Sequence, residues 1–439
     1  MGPIEAERAT PSAPRPRRVR KLAFAVVYAA SVYLLFELLY GTLYVRGIIS
    51  PPPSLWIFED RGTIQFDPVR GYRLSDVPAR WSRITYGEIE YLGILRGNAQ
   101  GFPDDRDFTP RRAGSQRRLA VFGDSFTAAQ FFPRNWPAAV EERAAAEGEG
   151  LDLLNFSIDG GGLANWWSVL TQIVAAEGYE LDGLVFAPID SDLSRTFTVA
   201  EHRGQRRHML GRARSWEPSE WPKTEEEARQ VLLPTDGYLL SPEDFDAVLR
   251  GDLRPDIQRS WGFHGASALA DLFFRAQHRV RDAFRGPTAA PRATAKPEAR
   301  PVFEPAQQRL IEQIADVARE RGLPVLVVRI PLREEALGGL PPSQRMLSFA
   351  ELLGATFIDG NRAFAGLSES AIRSNWFPYD GHWSQVGSDR FAGFMLGVLQ
   401  EWLADRSGKR GKVEEPSTRT APRPAPSAGS PDPGLPRRP

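Results

Sequence analysis

Cysteine is absent from this chain of 439 residues. That excludes disulfides, thiol nucleophiles and Cys-based zinc sites, and it leaves the redox compartment open. Histidine is scarce, with only five residues (His202, His208, His264, His278 and His382), none of them paired at a metal-ligating spacing. Candidate bases that titrate near neutral pH are therefore few. Net charge is missing as well. The 55 Lys and Arg cancel the 55 Asp and Glu, so composition gives no reason to expect a nucleic-acid partner. What is present is ordinary for a globular protein: 42% hydrophobic and 25% charged residues. The length exceeds one typical domain and fits a single large domain with appendages.

Residues 1–21 are polar and Pro-rich and end in a basic cluster of Arg15, Arg17, Arg18, Arg20 and Lys21. Leu22 to Val45 is apolar apart from Ser31, Glu37 and Thr42, and is long enough to cross a hydrocarbon core of about 30 Å. With the basic residues on its N-terminal side, the positive-inside rule puts residues 1–21 in the cytoplasm and everything after residue 46 outside it. The competing reading is a cleaved signal peptide, although no small-x-small site follows the run. Glu37 receives no role.

Residues 46–116 are rich in Pro, Gly and Arg, with weak periodicity, and read as an irregular lead-in packed on the main domain. From 117 the pattern alternates. Strands are expected at Arg118–Phe122, Leu151–Phe156, Gly183–Pro188, Pro324–Ile330 and Thr356–Asp359, with helices at Pro137–Ala146, Asn165–Ala176, along Leu310–Ala318 and at Val386–Leu403. Alternating β and α units imply an α/β domain over 117–405 whose parallel sheet is covered by helices. A charged, Trp-containing insertion at about 195–300 interrupts it, with helices expected at 224–231, 242–250 and 266–284. Open α/β sheets build ligand sites at the edge from which it leaves. Residues 406–439 form a Pro/Arg-rich tail expected to be disordered.

Two segments carry chemistry. Leu119 to Phe122 is an apolar strand that delivers Gly123-Asp124-Ser125 onto a strand-to-helix corner. There a serine hydroxyl and its backbone N–H can both face a substrate, at a helix N-terminus that favours an oxyanion. Asp380-Gly381-His382 places a carboxylate within reach of an imidazole, able to fix its tautomer. Each alone has a plain alternative, a helix-capping turn serine and a loop histidine. Together, on a βα pattern in the right order, they supply nucleophile, base and orienting acid.

These residues resemble the blocks of the SGNH (GDSL-type) hydrolase superfamily across roughly 115–405. Gly123-Asp124-Ser125-Phe126 matches the nucleophile block. Asn155-Phe156-Ser157-Ile158-Asp159-Gly160 resembles the second block, and Asp380-Gly381-His382-Trp383 the last, in its Asp-x-His-Trp form. Gly71-Tyr72-Arg73-Leu74 and Asn98-Ala99-Gln100-Gly101-Phe102 look like the lead-in of extracytoplasmic bacterial members. The resemblance implies a three-layer α/β/α, flavodoxin-like fold with a mostly parallel five-stranded sheet. It also implies ester hydrolysis, with Ser125 as nucleophile, His382 as base and Asp380 as its orienter. The oxyanion would be held by the N–H groups of Ser125 and Gly160, with Ser191 as a candidate third donor.

The third block departs from the pattern. Family members carry Gly-x-Asn-Asp, whose asparagine amide donates to the oxyanion; here the stretch is Ile189-Asp190-Ser191-Asp192, with Ser191 at the asparagine position. One lost donor typically costs about 10²–10³ in rate. The expected substrate is an extracytoplasmic ester, an acylated carbohydrate among the candidates, with neither metal nor organic cofactor implied. Two alternatives stand beside hydrolysis: O-acyl transfer to a cell-envelope polysaccharide, and a catalytically silent envelope scaffold. Trp166, Trp167, Trp376 and Trp383 cluster near the blocks, as core residues or as flat faces for a sugar.

Overall fold

The computed structural model describes residues 16–45, 54–85, 88–112, 114–203, 206–253 and 302–406. The first fifteen residues of the basic tail, the expected helix at 266–284, the linker Gly286–Arg300 and nearly all of the C-terminal tail lie outside the described residues.

The chain begins with helix α1 (Pro16–Val45). Its segment Lys21–Leu39 has a mean hydropathy of 2.1 and is long and apolar enough to cross a membrane. Five short strands follow: β1 (Ser54–Glu59), β2 (Ile64–Asp67), β3 (Gly71–Leu74), β4 (Ala79–Thr85) and β5 (Glu88–Leu95). The alternating part then runs β6 (Arg117–Gly123), α2 (Ser125–Ala128), α3 (Trp136–Ala146), β7 (Leu151–Asn155) and α4 (Leu163–Val169). A π-helical stretch over Leu170–Ala175 continues α4, and β8 (Gly183–Ala187) comes next. The inserted segment forms β9 (Thr198–Arg203), β10 (Arg207–Arg212), α5 (Glu225–Val231), β11 (Leu232–Leu240) and α6 (Pro242–Arg250). The described chain resumes with α7 (Pro305–Glu320), β12 (Val325–Arg329), α8 (Arg333–Gly338), α9 (Gln344–Leu352), β13 (Thr356–Asp359), α10 (Glu369–Arg373) and α11 (Gln385–Arg406). A main unit ends at Met395, and the described part of a second unit is the end of α11.

The alternating segments form a five-stranded sheet in the order β13-β12-β8-β6-β7, parallel throughout. The inner strands β6, β8 and β12 read as apolar runs because they are buried along nearly their whole length: Leu119 to Phe122 and Leu184 to Ala187 have no exposed surface, while the edge strand β13 is half-buried. Phe122 and Phe186 stack across β6 and β8 at 5.0 Å, and Phe156 stacks on Phe122 at 5.8 Å. Full burial of each such side chain contributes about 1.5–3 kcal/mol. In sequence order the strands run 2-1-3-4-5, so the topological switch lies between β6 and β8, and open α/β sheets bind ligands beyond the carboxyl ends of strands at that point. Ser125 leaves β6 there.

Two expectations are corrected. The lead-in is not irregular: it supplies five strands. The insertion is not purely helical either, since β9, β10 and β11 accompany its two described helices. Both segments interleave in one mixed six-stranded sheet, β5-β4-β1-β11-β10-β9, in which β1 and β11 pair in parallel although about 180 residues separate them. Leu55, Ile57, Ile84, Leu240, Phe245 and Val248 make a small core between this sheet and α6. Strands of six to nine residues that mix Arg, Glu and Ser with apolar residues show little apolar periodicity, and the parallel partner of β1 lies far along the sequence.

The lead-in motif Gly71-Tyr72 docks onto the insertion at close range. A Cβ at Gly71 would stand 1.8 Å from the Thr198 carbonyl oxygen, and its φ is +90°. Gly71→Ala is therefore expected to destabilise the protein by about 1–3 kcal/mol from backbone strain alone. Thermal unfolding of the variant checks this, and an unchanged Tm would show that the junction yields.

Candidate active site

The turn Gly123-Asp124-Ser125 is built tightly. Asp124 caps α2, its Oδ1 accepting from the Phe126 N–H at 3.0 Å. Gly123 is required by space, because a Cβ there would meet Thr127 Oγ1 at 2.2 Å. The Gly123 carbonyl accepts from Trp166 Nε1 at 2.9 Å and from the Ile158 N–H at 3.2 Å. Trp166, Trp376 and Trp383 are thus core residues, each at most 2% exposed, and not faces open to a sugar.

Ser125 Oγ lies 2.7 Å from His382 Nε2 and 3.3 Å from Asp124 Oδ2. Its one proton serves the shorter contact when Nε2 is unprotonated. His382 Nδ1 makes a short hydrogen bond to Asp380 Oδ1, which also accepts from the His382 backbone N–H at 3.0 Å. Asp380 and His382 sit on a narrow excursion closed by a bridge between Trp376 and Trp383 and by the Phe377 N–H donating to the His382 carbonyl at 3.0 Å. The imidazole stacks on Phe131 at 4.3 Å and leans on Phe126 at 4.8 Å, so packing fixes its plane.

Asp380 is only 2% exposed, and its support comes from β4 and β5. Arg83 Nη1 stands 2.5 Å from Asp380 Oδ2, and the Tyr91 hydroxyl donates to the same oxygen at 3.2 Å. Glu90 Oε1 accepts the N–H groups of both Tyr379 and Asp380 at 2.7 Å, which holds the backbone of the excursion. Reasoning from sequence missed Arg83, Glu90 and Tyr91. The available signal was Tyr86-Gly87 between two short runs containing Trp81, Ile84, Thr85, Ile89 and Tyr91, a short-loop hairpin composition.

The second block supports the nucleophile turn directly. Asn155 Nδ2 donates to the Thr127 carbonyl at 3.1 Å, and its Oδ1 accepts the Ser157 N–H at 3.2 Å. Gly160 has φ +68°, in the left-handed region that favours glycine. The Tyr72 hydroxyl donates to the Asp159 carbonyl at 2.9 Å, and Thr198 Oγ1 to the Gly160 carbonyl at 3.1 Å, so lead-in and insertion both hold this loop. In the third block Asp190 is turned to Ser343, the cap of α9, while Ser191 is exposed and its Oγ accepts from Arg195 Nη2 at 3.1 Å.

Electrostatics separate the roles. Burial alone would raise the Asp380 pKa, but the hydrogen bond and charge of His382, with Arg83 behind them, hold it well below the usual carboxylate range. Burial likewise opposes protonation of His382, yet the hydrogen bond and charge of Asp380 outweigh it and lift the imidazole above its ordinary 6.5. Burial pushes Asp159 up to about 6, with the His382 and Arg195 charges opposing and those of Asp124 and Asp380 adding. Among the described residues no cluster of three or more His, Cys, Asp or Glu could hold a metal.

No protein-family model and no curated protein matches the chain. Among solved structures it is similar to a lipase/acylhydrolase from Enterococcus faecalis, at 11% identity and a TM-score of 0.32, over 65% of this chain and 97% of that one. It is also similar to the acetyl xylan esterase AlAXEase, at 10% identity and a TM-score of 0.32, over 64% and 99% of the two chains. A third likeness is to a GDSL-like lipase from Bacteroides thetaiotaomicron, at 8% identity and a TM-score of 0.28, over 65% and 89%. At such scores these are likenesses of structure, and what those proteins act on says nothing about this one.

Because Asp380 is the largest influence that raises the imidazole, Asp380→Asn should move the His382 midpoint down from its position above 6.5. Imidazole NMR across pH 4–9 measures it. An unmoved or higher midpoint would show that the carboxylate does not govern the ring.

Proposed function

We propose that this chain is a serine ester hydrolase working through an acyl-enzyme. The observation that carries the reading is the continuous chain from Ser125 Oγ to His382 Nε2 at 2.7 Å and from His382 Nδ1 to the buried Asp380. It is placed at the switch point of a parallel sheet. Ser125 Oγ attacks the acyl carbon of an ester while its proton passes to Nε2. The negative charge that develops on the acyl oxygen faces the N–H groups of Ser125 and Gly160, neither of which is hydrogen-bonded to another described residue. His382 then gives its proton to the leaving alkoxide, and the acyl group stays on Oγ. A water molecule, deprotonated by the same imidazole, attacks that ester and regenerates the serine.

The direction of the His382 shift sets the pH dependence. The imidazole must be neutral to accept the serine proton, so activity falls as pH falls through a value above 6.5. The apolar helix α1 supports an anchored location, with the basic N-terminal residues in the cytoplasm and the hydrolase outside it. Its natural ester is then a component of the envelope or of the extracytoplasmic space, an acylated carbohydrate among them. Transfer of the acyl group to a sugar hydroxyl would use the same acyl-enzyme, with the acceptor in place of water.

Purified full-length protein should label with a fluorophosphonate probe at Ser125 and hydrolyse p-nitrophenyl acetate, and Ser125→Ala should lose both. The rate should fall by more than about 10³, since a triad without its nucleophile retains only binding and oxyanion stabilisation. Partition of a labelled acetyl group between water and added sugars distinguishes hydrolysis from transfer. A probe-silent wild type, or a Ser125→Ala variant with full turnover, would overturn the assignment.

A further inference from the structure

Arg83 and Arg195 are paired with buried acids, but two arginines at the end of β10 are not. β10 ends at Arg212, whose cross-strand partner in β9 is Thr198. Arg212 Nε donates to Thr198 Oγ1 at 3.3 Å, and that hydroxyl donates to the Gly160 carbonyl at 3.1 Å. The second-block loop is thus one side chain away from Arg212. Two residues further on, Arg214 is exposed and makes no hydrogen bond or ion pair to any described residue. Neither guanidinium has an acid within ion-pair distance among the described residues. Together they border a groove of 370 Å³ that Leu210, Gln230, Val231 and Leu233 complete. That volume falls within the range of small-ligand sites, about 300–1,000 Å³.

The chemistry of the groove selects among ligands. Cations without counter-ions favour an anion, and the planar fork of a guanidinium matches a carboxylate in bidentate fashion. Partial burial and the charge of Arg195 hold the Arg212 pKa below its ordinary value, against the opposing charge of Asp192, and a bound anion offsets both costs. Leu233 is 68% exposed beside the arginines and offers an apolar contact suited to the C–H face of a sugar ring, while Gln230 brings an amide that can bond hydroxyls. A bilayer fits less well, because the lining includes none of the Trp or Tyr that settle at a membrane interface. The contacts Arg212–Thr198–Gly160 link the groove to the site. A ligand that occupies both is therefore extended, as a chain of linked sugars is.

We propose that this groove is a subsite for the carboxylate groups of an acidic polysaccharide whose ester is cleaved at Ser125. The proposal rests on the Ser125 acyl-enzyme reading and narrows its substrate class from acylated carbohydrate to acylated polyuronate. It also gives the inserted segment a task, since β10, α5 and β11 carry every residue of the groove but Arg214, which follows β10 directly.

The test is calorimetric titration of the full-length protein with an oligogalacturonate, and with a neutral xylo-oligosaccharide of the same length as control. The acidic oligomer should bind, more weakly as salt is added, and the neutral one should not. It should also raise the apparent KM for p-nitrophenyl acetate in the wild type. Arg212→Gln combined with Arg214→Gln should weaken binding by about tenfold or more, whereas Lys at both positions keeps the charge and most of the affinity. Arg214→Gln alone should cost about threefold, and it serves where a lowered Tm shows that the pair disturbs folding. No binding of oligogalacturonate, equal binding of the neutral oligomer, or an affinity untouched by the Gln variants would each overturn the proposal. Capture of phosphatidylglycerol vesicles through these arginines in place of the oligomer would do so too, as would binding that leaves p-nitrophenyl acetate turnover unaffected. If the wild type neither labels at Ser125 nor turns over while arginine-dependent binding stands, the acyl-enzyme reading fails and the groove keeps only its ligand class. A labelled, active wild type that ignores the oligomer removes the groove alone.

Discussion

The Asp380 carboxylate is the charge the rest of the structure has to accommodate. Burying an isolated carboxylate is prohibitive, and removing one partner from a buried pair costs about 3–5 kcal/mol. Here the charge is offset by His382 on one oxygen and by Arg83 and the Tyr91 hydroxyl on the other, while Glu90 fixes the backbone of the excursion through its N–H groups. Arg83 and Tyr91 lie on neighbouring strands of the mixed sheet, whose β4–β5 pairing runs through Arg83 and Tyr91 themselves. The second sheet is thereby a necessity and not an ornament. The parallel sheet can aim Ser125, but it has no cation to place beside Asp380.

The same device recurs on the oxyanion side. Asp124 and Asp192 are both fully buried, and one arginine lies between them. In each case a guanidinium from outside the parallel sheet, Arg83 from the lead-in and Arg195 from the edge of the insertion, neutralises acids carried by the blocks. Arginine suits the task because its planar fork reaches several acceptors at once and stays charged, where a lysine ammonium would reach fewer. Tyr72 and Thr198, from the same two segments, hold the carbonyls of Asp159 and Gly160.

The inner parallel strands were legible because burial on both faces writes itself as apolar runs, and the half-buried β13 coincides with the expected Thr356–Asp359. Ser125, His382 and Asp380 could be picked out because that chemistry needs those residue types; Ser125 follows β6, while Asp380 and His382 lie on the excursion before α11. The structure brings the three together. The mixed sheet was hidden for physical reasons: β4 alternates Arg80, Ser82 with Trp81, Arg83, so apolar and charged residues share the inward face and no clean period appears. Only the knowledge that Asp380 needs a buried cation makes Arg83 meaningful, and that need is invisible until burial is known. Gly71 shows the reverse. Its motif could be quoted from sequence, yet the reason for the glycine is a carbonyl oxygen of Thr198, 127 positions away and in a segment expected to be helical.

Support for the site from segments outside the sheet changes how substitutions there should be understood. A parallel α/β core tolerates volume-conserving exchange in its apolar strands, because packing is distributed over many contacts. The clamps on Asp380 and around Asp124 each include one arginine, and loss of either removes the cation beside buried acids. A substitution at either would register first as lost precision of the site, since a misplacement of about 1 Å in a catalytic group costs on the order of 10² in rate before the fold gives way. The leading and inserted segments are bound to the parallel sheet's loops by these ion pairs as well as by apolar contact.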